Sequence, residues 1–383
     1  MPSFPKILQQ KLVRRQEENA LRRLELPKGL IDFSSNDYLG LAKEKEIKLI
    51  SYEIEKVYGF ALGATGSRLL SGNHPLYEKL ESFVAEFHKA ETALVFNSGY
   101  DANLGFFASV PQRNDIVFYD ELSHASIRDG IKLGNAKAYK FKHNDLEDLT
   151  TKLVSLQAQS KIKYDEIYVV TESVFSMDGD SPDLIALTDF CTQKNIHLIV
   201  DEAHAVGVFN KGLVHKLNLE KSVFARIVTF GKALGCHGAA ILGGSELKNY
   251  LVNFSRSFIY TTAPPPNAMA HVLAAYQILQ KTNESKLADL NENIVFFQNQ
   301  IKKLQLESKY IKSNSAIQCI MISGNSAVKK ASFNLKESGY DVRPILSPTV
   351  TKGKERLRFC LHSFNTKEEI ESVLNILAKH VSD

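Results

Sequence analysis

From about residue 46 to about 275 the chain alternates short β-branched or aromatic runs with longer stretches whose apolar positions follow a helical period. The runs Ala93–Phe96, Ile116–Tyr119, Ile167–Thr171, His197–Val200, Arg226–Thr229 and Ala239–Leu242 predict strands. Strands alternating with helices predict a mainly parallel sheet covered by helices on both faces. The pattern breaks at Thr261-Thr262-Ala263-Pro264-Pro265-Pro266, and a long helical region follows to about Tyr310. Beyond it, Ala316–Ser323, Asp341–Ile345 and Glu355–Leu361 read as strands separated by helices, with a capping box at Thr366-Lys367-Glu368-Glu369 opening the last helix. The expected organisation is a helix and arm over 1–45, a large α/β domain over 46–275, and a linking helix with a small α/β domain over 276–383.

The arm begins with an amphipathic, basic stretch containing Lys11, Arg14, Arg15, Arg22 and Arg23. Glu17, Glu18 and Glu25 are interspersed, which transit peptides avoid, so a helix of the mature protein is expected. A polar, turn-prone segment from Ile31 to Gly40 follows it.

Composition narrows the class of partner. With 44% hydrophobic and 23% charged residues the 383-residue chain is ordinary globular material, and it has no apolar run long enough for a membrane span. Lys and Arg exceed Asp and Glu by only +4, too little for a nucleic-acid footprint, so small-molecule partners are expected, with neither nucleic acid nor membrane. Cys191, Cys236, Cys319 and Cys360 stand singly, without zinc-site spacing, and read as buried thiols of a reducing, cytoplasmic compartment.

Three predicted strands end in polar residues: Thr171-Glu172, Asp201-Glu202-Ala203-His204 and Thr229-Phe230-Gly231-Lys232. Ligands of open α/β sheets bind beyond such carboxyl ends, which makes Glu172, Asp201, His204 and Lys232 candidates as a group. Lys232 is the only formally charged residue between Arg226 and Glu246. Its apolar, Gly-rich surroundings imply desolvation, which turns an amine into a nucleophile capable of a Schiff base. Asp201 follows Leu-Ile-Val, so its carboxylate needs a positive partner. A pyridinium nitrogen would serve, as would an arginine, and a helix cap is a third reading. His204 could donate to a phenolate oxygen or be a satisfied polar residue. Asn97-Ser98-Gly99-Tyr100 reads as a turn into a helix whose N–H groups suit a phosphate, or as an ordinary turn. His124 follows another strand, where an imidazole could stack on a cofactor ring.

Together these residues, with Phe33–Leu41, Gly66–Asn73, Ser123–Ser126 and Thr171–Asp180, resemble the α-oxoamine synthases over the whole chain. Those enzymes use pyridoxal 5′-phosphate (PLP), have the fold-type-I, aspartate-aminotransferase-like architecture, and condense an amino acid with an acyl thioester. The resemblance implies that Lys232 binds the cofactor covalently and moves protons, and that His124 stacks on the ring. It implies that Asp201 faces the pyridine nitrogen, that His204 and Ser176 lie near the ring oxygen, and that Gly99, Tyr100 and Thr229 hold the phosphate. Arg22, Asn36, Thr349 and Arg356 fall at substrate positions, Arg356 as the grip on the amino-acid carboxylate. A solvated helix face remains the other reading of Arg22, and a surface strand position that of Arg356.

The Thr-Phe-Gly-Lys form at Thr229–Lys232 and the compact length favour the branch that uses L-alanine over those using glycine or serine. The implied donor is an acyl-CoA or acyl-carrier protein, and the implied assembly a homodimer with interfacial sites, Tyr260–Thr262 reaching the neighbour. Two departures stand out. Relatives often read Ile-Arg-Pro-Pro-Thr where this chain has Ile345-Leu346-Ser347-Pro348-Thr349, leaving Arg343 as the nearby candidate to compensate; Tyr77 stands where many have His. Transamination on the same fold remains a competing reaction. The Asp201–His204 tetrapeptide also spells the helicase box, but the phosphate loop that reading requires is missing from the sequence, as is a dinucleotide fingerprint.

Overall fold

The structure, a computed structural model, describes residues 3–22, 24, 29–158 and 164–381. Arg23 and Glu25 of the N-terminal charge pattern lie outside the described residues. The chain forms two compact units, a larger one of Asn36–Ser176 and Ser181–Leu287 and a smaller one of Met1–Ser35, Met177–Asp180 and Ala288–Asp383. No described helix is long and apolar enough to cross a membrane.

The larger unit is built on a seven-stranded sheet. Across it the strands run Thr92–Phe96, Ala239–Gly243, Ala225–Thr229, His197–Asp201, Ile167–Glu172, Ile116–Asp120 and Lys137–Phe141. All pairings are parallel except the two made by Ala239–Gly243. Ile167–Glu172 is buried at every position, as a central strand covered on both faces must be. One face packs Val170, Ile199 and Ile227 against Phe106, Phe107 and Ile127, the other Val169, Leu198 and Val200 against Leu149, Leu153 and Leu187. Six strands match the sequence expectation within a residue or two. The seventh, Lys137–Phe141, is an edge strand whose Lys-Ala-Tyr-Lys pattern is mostly solvated, so it carries no apolar run by which to recognise it.

The smaller unit has a four-stranded antiparallel sheet in the order Arg343–Ile345, Arg356–Cys360, Ile317–Met321 and Tyr310–Ile311. The expected run 341–345 is divided here: Tyr340–Asp341 pairs in parallel with Ile31–Asp32, and only Arg343–Ile345 joins the sheet. The segment 31–32, which the sequence suggests is a turn, is therefore a short strand. A single helix, Pro266–Lys303, carries the chain from the larger unit into the smaller, starting on a proline whose missing N–H costs a first turn nothing.

The unit boundaries fall at 35/36 and 287/288, whereas the sequence pattern places them at 45 and 275. Within the larger unit Tyr38 is fully buried with its hydroxyl 2.7 Å from His204 Nδ1, so the segment after Asn36 belongs to that core. Met177–Asp180 joins the smaller unit because the Gly179 carbonyl accepts the Ser313 and Ser315 hydroxyls at 2.7 and 2.9 Å.

Gly235 fixes the loop that carries Lys232. Its N–H donates to the Lys232 carbonyl at 2.8 Å, its φ is +63°, and a Cβ there would overlap the Ala42 backbone. Gly235→Ala therefore combines left-handed strain with overpacking, a loss of about 2–5 kcal/mol. The expected result is a lower urea midpoint at unchanged m-value.

Candidate active site

The parallel register sets the site. Glu172 and Asp201 are paired neighbours at the ends of adjacent strands, and Thr229 ends the next strand, three residues before Lys232. Asp201 is only 5% exposed. Its Oδ2 accepts Asn103 Nδ2 at 2.8 Å and its Oδ1 accepts the Ala203 N–H at 2.9 Å. It forms no ion pair among the described residues, so neither a structural arginine nor a helix cap accounts for it. Arg226, the buried arginine on the neighbouring strand, instead stands 4.0 Å from Glu202.

His124 precedes the helix Ala125–Leu133 and caps it: Nδ1 lies 3.2 Å from the Ser126 N–H and 2.8 Å from its hydroxyl. An accepting Nδ1 leaves the ring proton on Nε2. Its backbone N–H donates to Glu172 at 2.6 Å. Burial lowers the His124 pKa, opposed by Asp201 and assisted by Lys232, so the imidazole is neutral near pH 7. Glu172 is fully buried, and that desolvation, with Asp201 adding to it and Lys232 opposing, pushes its pKa up to about 8. The titration behaviour of His124 and Glu172 thus brings Asp201, Lys232, His124 and Glu172 together as one electrostatic group.

Lys232 itself is half-buried, flanked by the fully buried Phe230, Ala233 and Leu234, in line with partial desolvation. His204 Nδ1 contacts the Tyr38 hydroxyl, which donates to Asn36 Oδ1 at 3.0 Å, so Asn36 and His204 are joined through a tyrosine. Ser176 is half-buried in the same unit.

At the sheet's other half, Ser98 caps the helix Gly99–Ser109 by accepting the Asp101 N–H at 3.0 Å. The Gly99 and Tyr100 N–H groups belong to the first turn, which a helix leaves without internal acceptors. A Cβ on Gly99 would lie 3.8 Å from Thr229, bringing these two expected phosphate residues side by side. Thr229 Oγ1 is 3.2 Å from the Gly238 carbonyl and 3.4 Å from the Gly231 N–H. The Tyr100 hydroxyl is bound to Asp129, so only its main chain and ring are available.

These residues fit PLP. A buried carboxylate with two neutral donors and no cation suits a protonated pyridine nitrogen, a flat neutral imidazole suits its ring, and a helix N-terminus beside a threonine suits its phosphate. Asn103 and Tyr38 are the supporting residues to which sequence gave no role, while Glu172, a candidate from its place at a strand end, acts here as the acceptor for the His124 N–H. Asn103 lies one helical turn beyond Gly99, a spacing that places it under the site only once the sheet is assembled. Glu202 of the helicase-like tetrapeptide is buried, accepting the Val214 N–H at 2.9 Å opposite Arg226, and is a structural residue.

In the smaller unit Arg22 Nη2 lies 3.4 Å from Thr349 Oγ1, so two of the expected substrate residues meet, with Arg22 itself solvent-exposed. Arg356 is 4% exposed and ion-paired with Asp178, with Nε on the Lys354 carbonyl at 3.0 Å. It is not a surface residue, and a substrate carboxylate would have to compete with Asp178. Arg343 is held by Asp341 at 2.9 Å, which removes it as a replacement for the arginine missing beside Leu346. Tyr77, in the larger unit, is fully buried with its hydroxyl on the Pro264 carbonyl and Arg68 over its ring, so it replaces a histidine with a packed, bonded side chain.

Residues 28–377 match the family Aminotransferase class I and II. The chain is 38% identical to the 8-amino-7-oxononanoate synthase of Emericella nidulans, covering 99% of this chain and 97% of that one. It is 31% identical to the solved 8-amino-7-oxononanoate synthase of Francisella tularensis, with a TM-score of 0.75 over 92% of this chain and 98% of that one. The Sphingomonas wittichii serine palmitoyltransferase shares the fold, with a TM-score of 0.89 at 24% identity over 99% and 98% of the two chains. With this match along its length and a PLP-type constellation at the carboxyl ends of its strands, the chain belongs to the aminotransferase class I and II family, as a PLP-dependent α-oxoamine synthase.

Proposed function

We propose that this enzyme condenses L-alanine with pimeloyl-CoA, or its carrier-protein equivalent, and decarboxylates the product to 8-amino-7-oxononanoate, a step of biotin synthesis. The observation that carries the reading is Asp201, a buried carboxylate held by Asn103 and the Ala203 N–H in one electrostatic group with Lys232, His124 and Glu172, and in no ion pair among the described residues. The names of relatives at 38% and 31% identity favour this acyl acceptor and donor. A glycine acyltransferase or serine palmitoyltransferase activity is the second reading, favoured by the S. wittichii fold match.

Bound PLP supplies an electron sink for charge developing at the amino-acid α-carbon. Asp201 sustains that sink by keeping a positive charge opposite its carboxylate, and Asn103 orients the carboxylate. Lys232 anchors the cofactor and, once displaced, takes and returns the α-proton. His124, neutral and with Nδ1 accepting from Ser126, would lie against the ring with its Nε2–H available to donate to a substrate oxygen. His204, with Ser176, is assigned to the ring oxygen, and Gly99, Tyr100 and Thr229 to the phosphate. Arg22, Asn36 and Thr349 are assigned to substrate, and Arg356 to its carboxylate through exchange with Asp178. Glu172 holds a proton through neutral pH, which keeps a second negative charge away from Asp201.

The working assembly in this reading is a cytoplasmic homodimer. In its favour, the larger unit exposes Phe60, Leu62, Leu69, Leu70 and Tyr260, Leu70 by 85%. Their segments are tied together by bonds from the Ala263 N–H to the Gly66 carbonyl and from the Asn267 N–H to the Ala61 carbonyl at 3.0 and 3.3 Å. An apolar patch of this kind marks an interface.

The first test is condensation by the PLP-loaded protein, with L-alanine, glycine and L-serine in parallel and the product identified by mass. Preference for L-alanine with pimeloyl thioester is expected, with Lys232→Ala reducing turnover by at least a thousandfold; preference for glycine or serine discards the biotin assignment. Sedimentation should give a dimer, and a fully active monomer would refute the shared-site assembly. The cofactor-free protein offers a pH test. Glu172 keeps its proton up to about 8 when folded but loses it near 4 when unfolded, so stability falls as pH rises between these values. Glu172→Gln keeps an acceptor for the His124 N–H and removes this loss, so its advantage in melting temperature should widen from pH 5 to pH 8. An advantage constant with pH would mean that Glu172 is ionised in the folded state.

A further inference from the structure

The smaller unit contains a cavity of ≈ 1270 Å³ between the N-terminal helix Lys6–Glu17 and the segments 323–327 and 347–355. It belongs to none of the elements assigned to PLP. Its walls carry four cations, Lys11, Arg14, Arg15 and Lys352, and two carboxylates, Glu18 and Glu355. Both carboxylates are already engaged: Glu18 pairs with Arg14 at 2.8 Å, and Glu355 accepts the Gly324 and Gly353 N–H groups at 2.8 and 3.0 Å. Lys11, Arg15 and Lys352 form no ion pair among the described residues. The cavity therefore presents a surplus of positive charge. The helix Asn325–Glu337, whose first turn has no acidic residue and no side-chain cap, adds to it.

Ser347 and Pro348 form part of this wall, and the next residue, Thr349, receives Arg22. The basic cavity is thus continuous in sequence with the expected acyl-substrate segment. The volume exceeds that of an ordinary small-ligand pocket, about 300–1,000 Å³, and suits an extended ligand. CoA and an acyl-carrier protein present the acyl group on the same phosphopantetheine arm, anionic at its far end. We propose that this cavity binds the phosphate end of the acyl donor's phosphopantetheine arm through Lys11, Arg15 and Lys352. The proposal rests on the acyl-thioester reading given above. It also supplies cations to a donor-binding segment that has Leu346 where relatives often have arginine and whose Arg343 is held by Asp341.

The test is calorimetric titration of the PLP-loaded enzyme with CoA and, separately, with a holo carrier protein. It compares the parent with a Lys11→Ala, Arg15→Ala, Lys352→Ala variant and with a charge-retaining Lys11→Arg, Arg15→Lys, Lys352→Arg variant. Binding of at least one of the two should weaken tenfold or more in the alanine variant and recover in the charge-retaining one. In parallel the KM for the acyl donor should rise, while kcat and the L-alanine titration of the PLP absorbance stay unchanged. Loss of CoA binding assigns the phosphates of free CoA, and loss of carrier-protein binding alone assigns the carrier-borne arm. Unchanged affinity for both, or a parent that binds neither, overturns the proposal. Failure of the proposed reaction reads differently: the parent then yields no condensation product, while charge-dependent phosphopantetheine binding persists.

Discussion

A carboxylate taken out of water must meet positive charge or hydrogen-bond donors, and the larger unit meets this requirement in two ways on adjacent residues. Glu202 is answered from within the chain, by Arg226 and the Val214 N–H. Asp201 has only neutral donors, Asn103 and the Ala203 N–H. Folding therefore leaves Asp201 hydrogen-bonded at the carboxyl end of its strand but in no ion pair among the described residues. In the proposed reading a cofactor with a protonated ring nitrogen would pair with it, joining binding energy and electron withdrawal in one contact.

The surrounding residues make sense as consequences. Glu172 lies in register with Asp201, and two neighbouring buried anions would repel, so Glu172 retains its proton. The neutral carboxyl then serves as the acceptor for the His124 N–H, which sets the start of the helix that His124 caps. Ser126 turns the ring, and Asn103 donates both to Ser126 and to Asp201. Ring orientation and carboxylate orientation are thus coupled through one asparagine. Lys232 joins this group from a loop closed by Gly235, whose N–H binds the Lys232 carbonyl.

The two units divide the chemistry by character. The larger holds charge in a dry, hydrogen-bonded setting, where electrostatic effects are strong. The smaller collects guanidinium and ammonium groups: Arg356 buried against Asp178, Arg22 on Thr349, and Lys11, Arg15 and Lys352, which form no ion pair among the described residues.

Much of this was readable in the sequence. Buried strands are apolar runs that here end in polar residues, so six of the seven strand positions, the α/β class and the grouping of Glu172, Asp201, His204 and Lys232 follow from local pattern alone. Residues whose roles depend on distant partners were not readable. Asn103 gains its role from a strand 98 positions away, and Tyr38 bridges Asn36 to His204 across 166. The solvated edge strand Lys137–Phe141 and the pairing of Ile31–Asp32 with Tyr340–Asp341 leave no apolar signature. The protonation of Glu172 and the engagement of Arg356 and Arg343 by aspartates arise from burial and proximity, which a sequence does not contain. The sequence by itself determined which chemical groups stand at the ends of the strands, because periodicity is local; only the tertiary structure decided which of them are already neutralised and which remain to bind a ligand, because charge compensation depends on neighbours brought together by folding.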